Sequence, residues 1–215
     1  MSNGIGKVYT TRIQKSHFSG LGVYDPNKVF TRNNTNGKVF VNDILSSICK
    51  KDEAITIETV DINGVSWSKD YISLEIGEIN PDSLSNEIPQ TKIYNGIYYY
   101  NIPAVLKIEN DNLIPGFHVA NYTEWSNLAT YAGGLEIAGK KLKSVDYNGT
   151  DDYGMNITNV GYFNSSMVFA NNATRIWTKT QQANLNYSFA NFTVNDAMNL
   201  YNVANSMFVI RLVKD

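Results

Sequence analysis

The clearest hydrophobic pattern in the chain is a helical stripe over residues 121–132. Asn121 is a favoured N-cap residue, and Glu124 stands three positions later, where a capping box places it. The apolar side chains that follow recur at helical spacing: Trp125, Leu128, Ala129 and Ala132. Gly133 and Gly134 then end the pattern. We predict a helix over 121–132 and a short helical turn over residues 136–138.

Alternating patterns predict strands on both sides of this helix. Residues 55–62 alternate with period two and lead into Asn63 and Gly64, a hairpin-type turn with a return strand over 65–67. Residues 93–100 give a second, aromatic hairpin candidate. The apolar run 207–213 predicts a strand that is buried in a sheet.

Residues 1–50 differ from the rest of the chain in charge. They carry seven Lys and Arg against two acidic residues, Asp25 and Asp43, whereas residues 51–215 carry eleven basic and eighteen acidic residues. This split favours a basic segment that docks and an acidic body that faces outward, with a chance fluctuation on one surface as the alternative. Within this segment, residues 44–48 suggest a short apolar helix that needs a partner surface.

The rest of the composition excludes several classes. A single cysteine, Cys49, excludes an internal disulfide and a thiolate zinc site, and only His17 and His118 could contribute imidazole ligands. The net charge of −2 argues against binding nucleic acid by phosphate neutralisation, and no apolar run is long enough to insert into a membrane. Because the start lacks an apolar h-region, we expect no secretory signal and synthesis in a host cytoplasm.

Six stretches in chain order resemble the Fibrobacter succinogenes major paralogous domain. They are 59–67, similar to V-x-I-G-x-x-x-W, 115–119, similar to P-x-G-W-H-V-P, 123–134, similar to A-E-W-x-x-L, 138–143, similar to A-G-G-K-L-K, 177–180, similar to W-T-S-T, and 209–215, similar to S-V-R-L-V-K-D. Phe117 and Ala120 depart from the second motif. The resemblance implies these fold-determining residues: Trp67, Gly116, His118, Glu124, Trp125, Gly133, Gly139, Trp177 and Arg211.

The resemblance implies an α+β, C-type-lectin-like domain over residues 57–215, with two short helices and a mixed, largely antiparallel sheet. Residues 1–56 would precede it as a loop- and β-rich segment for attachment and oligomerisation. Members of the family look like bacterial surface lipoproteins and phage virion proteins, generally without catalysis. Because neither a signal sequence nor a lipidated cysteine is visible near the start, the phage members are favoured.

Each candidate for catalysis or metal binding has a simpler structural interpretation. The related formylglycine-generating fold depends on reactive cysteines, whereas Cys49 lies before the matched domain beside an apolar stripe. Asn-Pro-Asp at 80–82 and Asn-Asp at 195–196 look like calcium-lectin motifs, but they are far apart and lack further carboxylates. We interpret His118 as a buried structural residue, and Asp151 with Asp152 as a solvated loop. We therefore expect no catalytic residue, metal or cofactor.

The stretch 148–205 is poor in charge and rich in Asn, Tyr and Thr. Amides and hydroxyls bond sugars or protein backbone, and Tyr adds rigid contact area, so an outward surface of this kind favours recognition. An ordinary polar β surface is the alternative. The candidate ligand-binding residues are Asn171, Asn172, Arg175, Tyr187, Asn199 and Tyr201.

The resulting hypothesis is a non-enzymatic phage virion protein, a head- or tail-fibre or decoration component. Residues 1–50 would attach it to capsid or tail proteins, the chain would form a homodimer or homotrimer, and the lectin-like body would contact a host-surface glycan or protein. The alternative is a bacterial surface adhesin of the same domain family. An enzyme acting through Cys49 or the pair Asp151 and Asp152 is the third, disfavoured possibility.

Overall fold

The fold is known from a computed structural model that describes residues 56–183 and 186–215. The predicted attachment segment (all but its last residue), the apolar helix at 44–48 and Cys49 therefore lie outside the described residues, and those predictions stay predictions. The described part combines three α-helices with small, mostly antiparallel sheets, so the predicted α+β class is confirmed.

The helices are α1 (Ile102–Asn110), α2 (Tyr122–Tyr131) and α3 (Leu135–Leu142), followed by a 3-10 turn at Val145–Tyr147. The strands are β1 (Thr59–Ile62), β2 (Val65–Ser68), β3 (Glu78–Ile79), β4 (Gln90–Tyr94), β5 (Ile97–Tyr100), β6 (Phe117–Val119), β7 (Tyr162–Phe163), β8 (Phe169–Ala170), β9 (Thr174–Gln181), β10 (Tyr187–Phe192), β11 (Met198–Val203) and β12 (Leu212–Lys214).

The last strand, β12, lies inside a sheet, as its apolar sequence predicted. The order in this sheet is β1-β2-β12-β6, and Val213 pairs with Trp67 on one side and His118 on the other. The regular strand is shorter than the apolar run, because residues such as Phe208 and Val209 form isolated bridges to other strands. The remaining sheets are β11-β10-β9, β3-β4-β5 and the β7-β8 hairpin, and only β3 and β4 pair in parallel among the strands described.

Both predicted hairpins are present, and their turn residues explain them. Asn63 and Gly64 have φ angles of 53° and 78°, and Asn95 and Gly96 have φ angles of 50° and 78°. Two consecutive residues with positive φ match the twist of the flanking strands, and Asn-Gly is the pair that adopts this conformation most readily. The turn chemistry therefore fixes the register of β1 with β2 and of β4 with β5.

The prediction of two helices is wrong, because the described residues contain three. α2 begins as predicted: the Asn121 side chain accepts from Glu124 N, and the Glu124 carboxylate accepts from Asn121 N. α3 runs beyond the predicted turn at 136–138 to Leu142. α1 was missed, although Asn101 caps it by accepting a hydrogen bond from Ala104 N and Pro103 occupies its first turn.

Two hydrophobic clusters pack on opposite faces of the β9-β10-β11 sheet. Ile176 and Phe192 point into the cluster that contains the helices α2 and α3, and Trp125 lies in the same cluster. Trp177 and Phe189, which alternate with them along β9 and β10, belong to the second cluster. The sheet is therefore covered by α2 and α3 on its inner face and only partly covered on the other, which we call the outer face.

Candidate ligand-binding face

Four of the six predicted ligand-binding residues lie on the outer face of the β9-β10-β11 sheet. The register pairs Asn191 of β10 with Arg175 of β9 and with Asn199 of β11, so these three side chains form one row across the sheet. The neighbouring row contains Phe189 and Tyr201. Tyr187 lies on the same face of β10, one row further along. The structure thus brings Arg175, Asn199, Tyr201 and Tyr187 together, as period-two alternation requires.

Arg175 is held in a fixed orientation by aromatic rings and one amide. Its guanidinium carbon lies 3.7 Å from the ring centroid of Tyr162, 5.2 Å from that of Phe189 and 5.6 Å from that of Phe208. Its Nε donates a hydrogen bond of 3.3 Å to Asn191 Oδ1. Burial lowers the pKa of Arg175, and the neighbouring Tyr162 opposes that shift. The side chain stays protonated at neutral pH, so the face carries a positive charge.

Asn171 and Asn172 lie in the connection between β8 and β9, and both are exposed. The preceding residue, Ala170, pairs with Tyr162, the residue under the Arg175 guanidinium. Asn172 precedes Arg175 by three residues, which limits their separation to about 10 Å. The structure therefore places this pair of asparagines at the rim of the face, whereas the other four candidates form its surface.

The exposed end of the face is aromatic and amide-rich. Tyr201 is 53% exposed, and its ring centroid lies 6.0 Å from that of Phe189, its partner on β10. The side chain of Asn199 makes no hydrogen bond to any residue that the structure describes. The face therefore offers a free amide, a rigid aromatic surface and a fixed cation, a combination that can bind a polar ligand.

A comparison with protein-family models shows which family the chain belongs to. The model of the Fibrobacter succinogenes major domain matches residues 52–214, which is most of the chain and includes every element described above. The chain belongs to this family. No curated protein and no solved structure matches the chain.

The family motifs occupy positions that hold the domain together. Trp67 and Trp125 contact each other in the core with ring centroids 4.8 Å apart. Trp177 donates its indole N–H to the carbonyl oxygen of Tyr100 at 2.7 Å. Gly116 and Gly133 both adopt positive φ, 82° and 104°, at the turns that precede β6 and follow α2. In this member of the Fibrobacter succinogenes major domain family, the three tryptophans are buried and the two glycines adopt a backbone conformation that favours glycine. These residues therefore explain the fold and not a ligand site.

His118 connects the last strand to the start of α2. Its Nε2 lies 2.8 Å from Glu124 Oε1, and its Nδ1 lies 2.7 Å from Asp215 Oδ1. The other oxygen of Glu124 accepts from Asn121 N in the capping box. Burial lowers the pKa of His118, but the two carboxylate hydrogen bonds outweigh burial and raise it above its ordinary value. The geometry agrees with a structural role for His118.

Arg211 is buried in the interior of the domain. Its Nη1 donates to the carbonyl oxygen of Ser68 at 2.7 Å, and its guanidinium carbon lies 4.4 Å from the ring centroid of Tyr71. Its Nε has no hydrogen-bond partner among the described residues. Burial lowers the pKa of Arg211. Arg211, which directly precedes β12, thus links the start of that strand to the end of β2.

Lys143 is a buried residue whose role the sequence analysis missed. Its Nζ donates to the carbonyl oxygens of Thr193 and Asn195 at 2.7 and 2.6 Å, and it lies 5.0 Å from the ring centroid of Tyr147. Burial lowers the pKa of Lys143. The ammonium group therefore holds the β10-β11 loop against the end of α3. The sequence signal for this role was the position of the lysine, directly after the apolar residues of α3. The sequence alone does not show which groups the lysine bonds.

The remaining candidates for chemistry have structural partners or lie apart. Asp151 adopts a φ of 47° and accepts a hydrogen bond from Asn156 N, so it shapes its loop. Asp196 accepts through its backbone from Lys140 N. Within residues 56–183 and 186–215, no group of three or more metal-binding side chains is found, and no helix there is long and apolar enough to cross a bilayer. A cleft of about 50 Å³ lies between β1, β2 and α2 and is lined in part by Trp67 and Glu124.

Proposed function

We propose that this chain is a non-enzymatic phage virion protein, a head- or tail-fibre or decoration component that binds a host-surface glycan or protein. The outer face of the β9-β10-β11 sheet, with Arg175, Asn199 and Tyr201, is the observation that carries the binding half of the proposal. Its amides and rings lie on a regular sheet, so a ligand meets them already ordered. The chain belongs to the Fibrobacter succinogenes major domain family, and the expectation of a virion or surface protein came from the resemblance to that family.

Binding is tested with the full chain, labelled and added to bacterial cells. Tyr201→Ala and Asn199→Ala remove groups that face solvent, so we expect weaker retention on cells with little change in stability. Tyr122→Ala is the matched control, because Tyr122 is also an exposed tyrosine, at 39%, but lies on α2. Equal retention of all three variants and the unaltered chain would refute binding through this face.

Attachment to a particle rests on the charge of residues 1–50. Seven basic residues against two acidic ones favour docking on an acidic surface of capsid or tail proteins. Replacing the seven Lys and Arg by Gln in the full chain should lower its copy number in purified particles, as measured by mass spectrometry. Normal copy number would refute electrostatic attachment, and finding the chain on the bacterial envelope but not in particles would favour an adhesin.

We also propose that the full chain associates with itself as a dimer or trimer, because fibre and decoration proteins are usually symmetric assemblies. Light scattering of the purified full chain measures the oligomer directly. A monomer at all concentrations would contradict this part of the proposal and leave the binding face unaffected.

A further inference from the structure

Arg175 is a cation on the outer face that forms no ion pair with any residue the structure describes. Residues 153–195 contain no Asp or Glu, so β7, β8, β9 and β10 supply no carboxylate to this surface. By contrast, Lys179 on the same strand pairs with Glu109 at 2.8 Å. Within residues 56–183 and 186–215, Arg175 therefore has no carboxylate partner, whereas Lys179 has one.

The guanidinium of Arg175 is nevertheless rigid. The stack on Tyr162 and the hydrogen bond from Nε to Asn191 Oδ1 fix its plane. The Tyr162 side chain also hydrogen-bonds with the guanidinium, but no carboxylate among the described residues pairs with its terminal nitrogens. Two parallel N–H groups on a fixed plane match the two oxygens of a carboxylate. A half-buried charge without a partner also gains more from an incoming anion than a fully hydrated one does.

The groups beside Arg175 suit a sugar. Arg175, Asn191 and Asn199 form a row across three strands, which spans about 10 Å at the normal strand spacing. The amide of Asn199 can bond a hydroxyl group along this row, whereas Asn191 is buried and accepts the hydrogen bond that orients Arg175. The ring of Tyr201, 53% exposed, supplies a flat apolar surface next to it. An extended peptide, in contrast, commonly adds to the edge of a sheet and not across its face.

We infer that Arg175, oriented by the buried Asn191, binds the carboxylate of an acidic sugar unit in a host-surface glycan, while Asn199 and Tyr201 contact the rest of that unit and its neighbour. This inference rests on the proposed binding function, and it narrows the ligand to glycans that carry uronic or sialic acid-type carboxylates. Arg175 is a specificity-determining residue in this account. A neutral glycan of the same shape leaves its guanidinium unpaired and binds more weakly.

The test is calorimetric titration of the full chain with oligogalacturonate and polysialic acid as probes. The methyl ester of oligogalacturonate keeps the ring shape but removes the charge, so we expect it to bind at least about tenfold more weakly. The affinity of Arg175→Gln for the acidic glycan should fall by a similar factor. The affinity of Arg175→Lys should fall less, because Lys keeps the charge without the planar pair of donors. Lys214→Gln removes one exposed charge elsewhere and should leave the affinity unchanged.

The outcomes of the titration separate carboxylate recognition, a sugar ligand and the proposed binding function from one another. Equal binding of acid and ester, or full binding by Arg175→Gln, overturns carboxylate recognition but leaves glycan binding intact. If an oligo-glutamate peptide binds through Arg175 and neither acidic glycan binds, the ligand is not a sugar and the inference is overturned. Absence of binding to every probe also overturns the inference, whereas the cell-retention assay with Tyr201→Ala then decides the proposed function separately. If the Arg175→Gln variant does not fold, the inference is tested by comparing the binding of oligogalacturonate with that of its methyl ester and by the affinity of the Asn199→Ala variant.

Discussion

Gly139 offers a sharp test of the packing, because helix propensity and tertiary structure predict opposite signs. Gly139 lies inside α3, where replacing glycine by alanine ordinarily stabilises a helix by about 1 kcal/mol. Here, a Cβ on residue 139 would lie 2.4 Å from the carbonyl oxygen of Ala197 and 2.7 Å from that of Asp196. Both contacts are with backbone atoms of the β10-β11 loop, so no side-chain rotation relieves them.

The magnitude follows from the hydrogen bonds that the loop must give up. To restore a separation of about 3.5 Å, the loop has to retreat by about 1 Å. That displacement breaks the hydrogen bond of 2.8 Å from Lys140 N to Asp196 O and one of the bonds from Lys143 Nζ. Together these losses cost about 2–4 kcal/mol, which exceeds the gain in helix propensity. The expected net destabilisation of Gly139→Ala is about 1–3 kcal/mol.

Urea and thermal unfolding of the full chain measure this value, and each kcal/mol should lower the midpoint temperature by about 2–4 °C. Glu136→Ala is the matched control, because Glu136 is exposed on the same helix and should change stability by less than about 0.5 kcal/mol. A Gly139→Ala variant as stable as the unaltered chain, or more so, would refute the close approach of α3 and the loop.

Three further predictions concern the polar groups that join elements. Because hydrogen bonds to Glu124 and Asp215 raise the pKa of His118, its protonated form stabilises the fold below about pH 6.5, and this contribution is lost as the pH rises through the raised pKa. His118→Gln should flatten that part of the pH profile of urea unfolding, and an unchanged profile would contradict the geometry. Lys143→Met should cost about 2–5 kcal/mol in unfolding free energy, because two loop carbonyls lose their donor; unchanged stability would exclude the bond network. The double variant Lys143→Met with Gly139→Ala should lose less unfolding free energy than the sum of the two single variants, since both changes release the same loop. Strict additivity would argue against that coupling.

Local chemistry was enough to predict several elements of this domain. The Asn-Gly turns, the capping box of α2 and the apolar run that becomes β12 each depend on neighbouring residues, so their signal is complete within a short stretch. α1 was missed because its signal is weak: Asn101 and Pro103 mark its start, but only nine residues follow as helix. A short helix draws most of its stability from packing, which a local pattern does not display.

The candidate face was predicted as a set of residue types, and only the tertiary structure made it a surface. The sequence marked the stretch 148–205 as poor in charge and rich in amides, but pairing of β9, β10 and β11 is what aligns Arg175, Asn191 and Asn199. The stack of Arg175 on Tyr162 joins residues from different strands. In the same way, the bonds of Lys143 to a loop about fifty residues away depend on how α3 packs. Composition and alternation determine which residues face outward, whereas long-range packing determines which of them meet and which charge is left unpaired.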